Sequence, residues 1–348
     1  MMGTSIMTRL AKEVCFHCQG YVNIGQAITE CSICDCIIHN KCFDKSNDTF
    51  FENEFFCANC KHLATKRYNP FKIDFENDDF DENDILLNVA QKLKVCKNHS
   101  VEDINNSYSE LINEHTSLFF QNIDGNKSNF DALAASLKCF KEKFSIIALA
   151  ETNVCSENEN LYQLNGYTSK YQSKIDNKTK GSGLAIYVHN SLNATKNSAL
   201  SQVTKNLETL FVTLSGTKPT TIGVLYRPPS GNVDEALDEL KNILANAPKR
   251  THIAGDFNID LHDVKSKSLD TYENIIFNKG FFPTISTTTH EKPGCEPSCI
   301  DNIITNDIES VITSGTISNS ISHHLQVFQI FESVLNKSNN STKYMQYY

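Results

Sequence analysis

Six stretches of this 348-residue chain bring an apolar run to its end in side chains that do acid–base or metal chemistry. "FFQNIDG" ends in Asn122 and Asp124, "IIALAETN" in Glu151, "GVLYRPP" in Tyr226 and Arg227, and "IAGDFN" in Asp256 and Asn258. "SCIDNIIT" carries Asp301 among Ile300, Ile303 and Ile304, and "SISHHLQVF" opens with His323 and His324. Asp124 and Glu151 are hard oxygen donors of the kind that hold Mg2+ through a few carboxylates. Asp301 with His324 looks like an acid–imidazole pair, in which the acid fixes the tautomer and favours the charged ring. Taken singly, a strand-terminal Asp or Asn is more often a turn former. Asp301 is harder to dismiss, because an acid inside an apolar strand needs a partner.

Eight of the thirteen cysteines lie between Cys15 and Cys60. They fall as "CFHC" (Cys15, Cys18), "CSIC" (Cys31, Cys34), "HNKC" (His39, Cys42) and "CANC" (Cys57, Cys60), with His17 and Cys36 as additional donors. Each pair chelates one edge of a tetrahedral Zn2+, two pairs close a site, and eight ligands make two zincs. So short a segment has little core, and the metals would supply most of its folding free energy. The N-terminal "MMGTSIMTRLAKEV" has no apolar signal core. No run approaches the ~18 apolar residues of a membrane span. The expectation is a reducing, intracellular setting with no membrane partner, in which clustered cysteines are metal ligands rather than disulfides.

These residues need a scaffold. From Ser117 onward, "SLFFQNI", "SIIALAE", "GLAIYVH", "LETLFVTLS", "TTIGVLY", "THIAGDF", "CIDNIIT" and "LQVFQIF" are short, β-rich apolar runs. Between them, "NVDEALDELKNILANA" places Val233, Ala236, Leu237, Leu240, Ile243 and Leu244 on one helical face, with Asn232 and Glu235 spaced as a capping box. "SLDTYENIIFNKG" reads as a second helix ending at Gly280. The alternation predicts one layered α/β domain with two sheets and outer helices. Polar strand ends on one side of such a scaffold are where sites are assembled. The acidic run "FENDDFDENDI" reads as solvated, and "ILLNVAQKLKV" as a short docking helix. The organisation expected is therefore a metal-bound unit at 13–62, a linker at 63–114, the layered domain at 115–333 and a polar tail at 334–348. A net charge of −9 excludes a basic nucleic-acid coat, but suits an acidic site whose cation inverts the local charge.

The ordered set Asn122, Asp124, Glu151, Tyr226, Asp256, Asn258, Asp301 and His324 resembles the endonuclease/exonuclease/phosphatase superfamily. Specifically, it resembles the apurinic-type endonuclease domain of non-LTR retrotransposons, as do "GSGLAIYVHNSL" and "YRPPSG". The resemblance implies an α/β (α+β) four-layer sandwich of two β-sheets flanked by helices. It implies a phosphodiester hydrolase that nicks one DNA strand with Mg2+ or Mn2+ held by Asp124 and Glu151. It makes Asp256 the residue that orients or deprotonates water, with Asp301 and His324 beside it and Asn122, Asn258 and Tyr226 positioning the phosphate. The cysteine order, together with Phe55 two residues before Cys57, resembles a PHD finger. That resemblance implies interleaved ligation: Cys15, Cys18, His39 and Cys42 on one zinc, Cys31, Cys34, Cys57 and Cys60 on the other. The partner expected is a histone tail or another protein. Ile37 and Ile38 stand before His39 where an aromatic cage residue would be, so methyl-lysine is not the expected ligand.

Two departures shape the alternatives. The superfamily usually reads Ser-Asp-His where this chain has Ser322, His323 and His324, which predicts a weakened metal site or a preference for Mn2+. Such elements also place a reverse transcriptase next in the polyprotein, and none follows "NKSNNSTKYMQYY" here. The expectation is a fragment, a truncated insertion or a domesticated gene. The leading reading is a nuclear DNA endonuclease with an attached finger. The alternative is a catalytically impaired relic acting as a chromatin- or protein-binding module, and a third reading is a phosphatase on the same scaffold. Lys170, Lys174, Lys178, Lys180 and Arg227 are the expected phosphate contacts to DNA.

Overall fold

The computed structural model describes residues 14–23, 25–31, 36–43, 49–51, 54–57, 67–71, 85–125, 127–173, 181–318 and 321–332. The chain divides into two units, Met1–Arg67 and Tyr68–Tyr348. No described helix is long and apolar enough to cross a membrane.

The first unit pairs Ile28–Glu30 with Ile37–His39 and Thr49–Phe51 with Glu54–Phe56, both antiparallel. Its core is Cys15, Cys31, Ile38, Phe55 and Cys57. Three of those five residues are cysteines, so the apolar burial alone is slight.

All eight apolar runs of the second unit are strands, and they lie in two seven-stranded sheets. One sheet runs Lys97–His99, Val311–Ile317, Gln326–Phe331, Thr116–Asn122, Ile146–Ala150, Leu184–His189, Tyr167–Gln172. The other runs Ala194–Lys196, Glu208–Leu214, Thr220–Tyr226, Thr251–Asp256, Asp301–Thr305, Phe282–Pro283, with Gln202–Val203 also paired to Glu208–Leu214. Strand alternation separates the layers. In the first sheet Phe119, Ile147, Leu149, Ala185 and Tyr187 join Ile104, Ile112, Phe130 and Leu133 of the helical segments. Their neighbours Leu118, Phe120, Ala148, Ala150, Ile186 and Val188 join Leu210, Val212, Ile222, Val224 and Ala254 of the second sheet. The helices Val233–Asn246 and Lys267–Asn278 add Leu237, Leu240, Leu244, Leu269, Tyr272 and Ile276 to the same core.

The Val233–Asn246 helix is capped as half a box. Asn232 accepts from Glu235 N, but the Glu235 carboxylate turns instead to Asn206 Nδ2 at 2.7 Å, and Asn206 Oδ1 takes the Asn232 N–H at 3.0 Å. The Lys267–Asn278 helix closes as expected: Gly280, at φ 70°, donates to Phe277 O and Phe281 to Ile276 O.

The expected linker is corrected in part. Residues 85–114 belong to the layered unit: "ILLNVAQKLKV" is the helix Ile85–Val95, which buries Leu87, Val89, Ala90 and Leu93. The next segment, Lys97–His99, is an edge strand parallel to Val311–Ile317. Its three polar-tipped residues carry no apolar alternation, which is why the sequence pattern passes over it. Most of the acidic run and all of the tail at 334–348 lie outside the described residues.

Candidate functional site

The same end of both sheets carries the site. Asn122, Tyr226 and Asp256 are the last residues of their strands, Asp301 is the first of its strand, Glu151 follows Ile146–Ala150, and His324 precedes Gln326–Phe331. The second sheet aligns three of them by register: Tyr226 pairs with Asp256, and Asp256 with Asp301. Asn122 then joins the two sheets. Its amide donates to Glu151 Oε1 at 2.8 Å and to Asp256 Oδ2 at 2.9 Å, and its Oδ1 accepts Asp124 N at 2.9 Å. Two acceptors on one side and an N–H on the other leave a single orientation for that amide.

His324 Nδ1 lies 2.9 and 3.1 Å from the two carboxylate oxygens of Asp301, which is itself 0% exposed. Burial pulls the imidazole down, but the charge and hydrogen bond of Asp301, with Asp256 and Glu151 behind it, lift it to about 9. The ring is thus a cation at neutral pH. Asp256 moves the other way from an ordinary acid: burial, then the charge of Asp301, push it up to about 7, against His324, Asn122 and the Asn258 N–H. One ligand atom each from Asp256, Asp301 and His324 lies within 4.8 Å of the others. The Tyr226 hydroxyl and the Glu151 carboxylate both lie against Gly181, and burial followed by the charges of Glu151 and Asp256 raises the phenol far above its usual range.

The loops that bear these residues are strained. Asp124, Glu151 and Asn258 have φ of 53°, 50° and 49°, a left-handed region that side chains other than glycine occupy at a cost of about 1–3 kcal/mol each. Surrounding contacts hold them there. Asn258 N donates to Asp256 Oδ1 at 2.9 Å, and Asn258 Nδ2 to Arg227 O at 2.8 Å. Asn153, one turn past Glu151, donates its side chain to Gly125 O.

The expected roles do not all survive this geometry. Arg227 is 6% exposed, and its guanidinium donates to Phe257 O at 2.7 Å, Pro228 O at 3.1 Å and Asn258 O at 2.7 Å. It clamps the "GDFN" loop through these three carbonyls. Lys170 sits half-buried on the edge strand Tyr167–Gln172, while Lys174, Lys178 and Lys180 lie outside the described residues. The Asp124 carboxylate is exposed and joins no group of three ligand atoms among the described residues. His323 is exposed too, with its carbonyl accepting Glu291 N at 2.8 Å.

Sequence reasoning missed His290. It bridges to His324 as an antiparallel pair, and the two ring centroids are 4.7 Å apart. It also missed Thr289, whose hydroxyl accepts Asp301 N at 2.9 Å. Both sit in "TTTH", which has no apolar periodicity to announce it.

The donor set suits a hard cation. Asp256 and Asp301 share a cluster with one imidazole, Asn122 links Glu151 to it, and burial followed by the charge of Asp301 raises Asp256. Oxygen donors in that excess match Mg2+, which takes one or two carboxylates and keeps its waters.

In the first unit, Cys15, Cys18, His39 and Cys42 bring their ligand atoms within 4.8 Å of one another. His39 Nδ1 faces the sulfurs of Cys18 at 3.5 Å and Cys42 at 3.8 Å, while Nε2 lies 3.0 Å from Gln26 Oε1. Nδ1 thus faces the sulfurs while Nε2 has an oxygen partner, the arrangement in which a second partner orients a ligating ring. Burial raises Cys15, but backbone N–H groups of Cys18, His39 and His17 outweigh it and bring the thiol down to about 6. A second group holds Cys31, Cys36 and Cys57. Cys34 and Cys60 lie outside the described residues, and Cys36, set aside as an additional donor, stands with the other two.

Residues 114–322 match the Endonuclease/Exonuclease/phosphatase family, and the chain belongs to it. No curated protein matches the sequence. Among solved structures, the 3′ phosphatase NExo from Neisseria bound to a product DNA hairpin superposes with a TM-score of 0.50 at 12% identity, covering 62% of this chain and 99% of that one. The endonuclease domain of TRAS1, a telomere-specific non-LTR retrotransposon, gives 0.49 at 14% identity over 62% of this chain and 98% of its own. AP endonuclease LMAP from Leishmania major gives 0.49 at 14% over 67% and 97%. At 12% identity the likeness to NExo is one of fold alone.

Proposed function

We propose that this chain is a retrotransposon-derived, metal-dependent endodeoxyribonuclease that hydrolyses a phosphodiester and nicks one strand of DNA. The observation that carries the reading is the convergence of Glu151, Asp256, Asp301 and His324, from both sheets, on one end of the scaffold. Glu151, together with Asp124 as the resemblance implies, would hold Mg2+ or Mn2+, and the bound cation would supply neutralisation of charge on the phosphate and the leaving 3′-oxygen. Asp256 takes the proton of the attacking water; a carboxyl poised near neutrality suits that task. The imidazolium of His324, fixed by Asp301, donates to a phosphate oxygen. Tyr226 orients Glu151 through its hydroxyl, and Asn122 and Asn258 hold Asp256 between them.

The test is nicking of supercoiled plasmid by purified protein over a series of Mg2+ and Mn2+ concentrations. Conversion to the open circle, absent with chelator and absent in His324→Ala, is expected. Cleavage by His324→Ala at the wild-type rate ends the assignment.

The finger at 13–62 is proposed to hold two Zn2+, the first by Cys15, Cys18, His39 and Cys42, the second by Cys31, Cys34, Cys57 and Cys60, and to contact a histone tail or another protein. A nuclear location follows from such partners. Native mass spectrometry should count two zincs per chain; a single zinc would remove the second site.

A further inference from the structure

The register that aligns Tyr226, Asp256 and Asp301 has a fourth member. Glu208 pairs with Tyr226 across the neighbouring strand, so four side chains form one row on one face of the sheet. Three of them belong to the site. Glu208 is 2% exposed and no cation among the described residues is paired with it, so its two oxygens require donors. One accepts the Ser182 hydroxyl, and the other accepts Gly183 N at 2.8 Å.

Those donors belong to a segment tied to Glu151. Thr152 N donates to Gly183 O at 3.0 Å, and Asn153 N to Ser182 O at 2.8 Å. Gly181, at φ 65°, passes so close that a Cβ there would collide with the Glu151 carboxylate and come within 3.7 Å of Tyr226 Oη. The loop donating these bonds has Glu151 at φ 50° and Asn153 at φ 53°, a pair that persists only where neighbours hold it.

We propose that Glu208 is a positioning residue: it braces the Gly181–Gly183 segment against the Glu151–Asn153 loop and so fixes the Glu151 carboxylate for the cation and the scissile phosphate. This rests on the metal-dependent hydrolase reading. Glu208 acts through hydrogen bonds, not charge. A glutamine can replace it, with its carbonyl accepting Gly183 N and its amide donating to Ser182 Oγ.

The experiment combines hydrogen–deuterium exchange of the full chain in chelator with nicking over a Mg2+ series, on Glu208→Ala, Glu208→Gln and Ser182→Ala. In Glu208→Ala the amides of Thr152, Asn153 and Gly183 should exchange at least about tenfold faster, with Gln326–Phe331 unchanged. Its Mg2+ half-saturation should rise by about 10–100-fold, more than its rate at saturating Mg2+ falls. Glu208→Gln should stay near wild type in both readouts. Wild-type exchange at those three amides in Glu208→Ala overturns the proposal, as does a Glu208→Gln defect as deep as that of Glu208→Ala. If Glu208→Ala loosens the whole chain, Ser182→Ala decides: faster exchange confined to the same amides supports the brace, and no change refutes it. Should even the wild type fail to nick, the hydrolase reading falls, and exchange alone still judges the brace.

Discussion

One strand, Thr251–Asp256, buries a titratable side chain near each end, and the two have opposite fates. His252 and Asp256, four residues apart, face the same way and are 0% and 1% exposed. His252 lies 2.7 Å from Gln329 Oε1 and stacks on Phe331 with centroids 4.0 Å apart. Burial pulls it down to about 4, so it is a neutral core residue. Asp256 is as deeply buried, but its company is Asp301, His324 and the amide shared with Glu151. Burial therefore does not distinguish a site from a core, since it displaces both groups toward their neutral forms. Gathered charge does: Asp256 shares its end with Asp301 and His324, whereas His252 packs on Phe331 and Gln329.

The sharpest way to break this contrast is to neutralise each residue in turn. Asp256→Asn should lower nicking by about 10²–10⁴-fold. Its Tm should change little, because an amide relieves the crowding with Asp301 but turns its NH2 toward a donor, Asn122 Nδ2 or Asn258 N. His252→Gln should do the reverse, lowering Tm while sparing the nicking rate. Calorimetry and plasmid assays on the same preparations read both. If the two variants lose activity alike, the two ends of the strand do not differ as described.

The pH dependence of stability offers a second contrast, with opposite signs at two histidines. The folded state holds His252 at about 4, below its unfolded value near 6.5, so the unfolded chain binds the extra proton between those limits. Stability is full above pH 6.5 and is lost as pH falls toward 4, by about 3 kcal/mol. His324 is held at about 9, so its contribution is full below pH 6.5 and is lost as pH rises through 9, again by about 3 kcal/mol. Urea titrations across pH 4–10 should show His252→Gln flattening the acid limb and His324→Gln the alkaline one. Loss of the acid limb in His324→Gln would reverse the assignment.

Arg227 tests the support of the site rather than its chemistry. Replaced by lysine, it leaves at least one of the Phe257 and Asn258 carbonyls without a donor, at about 1–3 kcal/mol, while Pro228 O keeps Gly231 N. Nicking should weaken with the "GDFN" loop, while the dependence of DNA binding on salt stays as in wild type, since no phosphate contact is removed. A shallower salt slope, read by fluorescence anisotropy, would return Arg227 to the DNA surface.

What was legible in the sequence follows the same physics. The central strands are continuous apolar runs because both faces are covered, so "TTIGVLY" and "THIAGDF" identify themselves. Tyr167–Gln172 and Lys97–His99 lie at sheet edges, where polar residues are tolerated, and they escaped notice. Val311–Ile317 is not an edge strand, but its Thr, Ser and Gly dilute the pattern. At the site, Asp301 was readable because an acid among isoleucines demands a partner, and its partner is His324. Arg227 was read as a phosphate contact, since a cation in a motif suggests an anion, and its hold on the carbonyls of a loop was passed over because no sequence spacing gives that turn. Glu208, His290 and Thr289 reach the site through strand register and bridge pairing alone.

The smallest effect is expected at His323, where an acid would stand by resemblance. The side chain is exposed, and it is Asp256, Asp301 and His324 that form the cluster. A new carboxylate there acts through water at the rim, where single charges contribute under about 1 kcal/mol. His323→Asp should accordingly lower the Mg2+ half-saturation for nicking by only about two- to fivefold, and the gain should fade in high salt. His290, whose pKa is held down first by burial and then by the charge of His324, has His323 as a further contributor, so its ring should titrate higher in the variant. An NMR shift of His290 without any change in Mg2+ requirement would place position 323 outside the reach of the cation. A hundredfold gain would mean that this rim belongs to the buried cluster, and that the boundary between site and surface has been drawn in the wrong place.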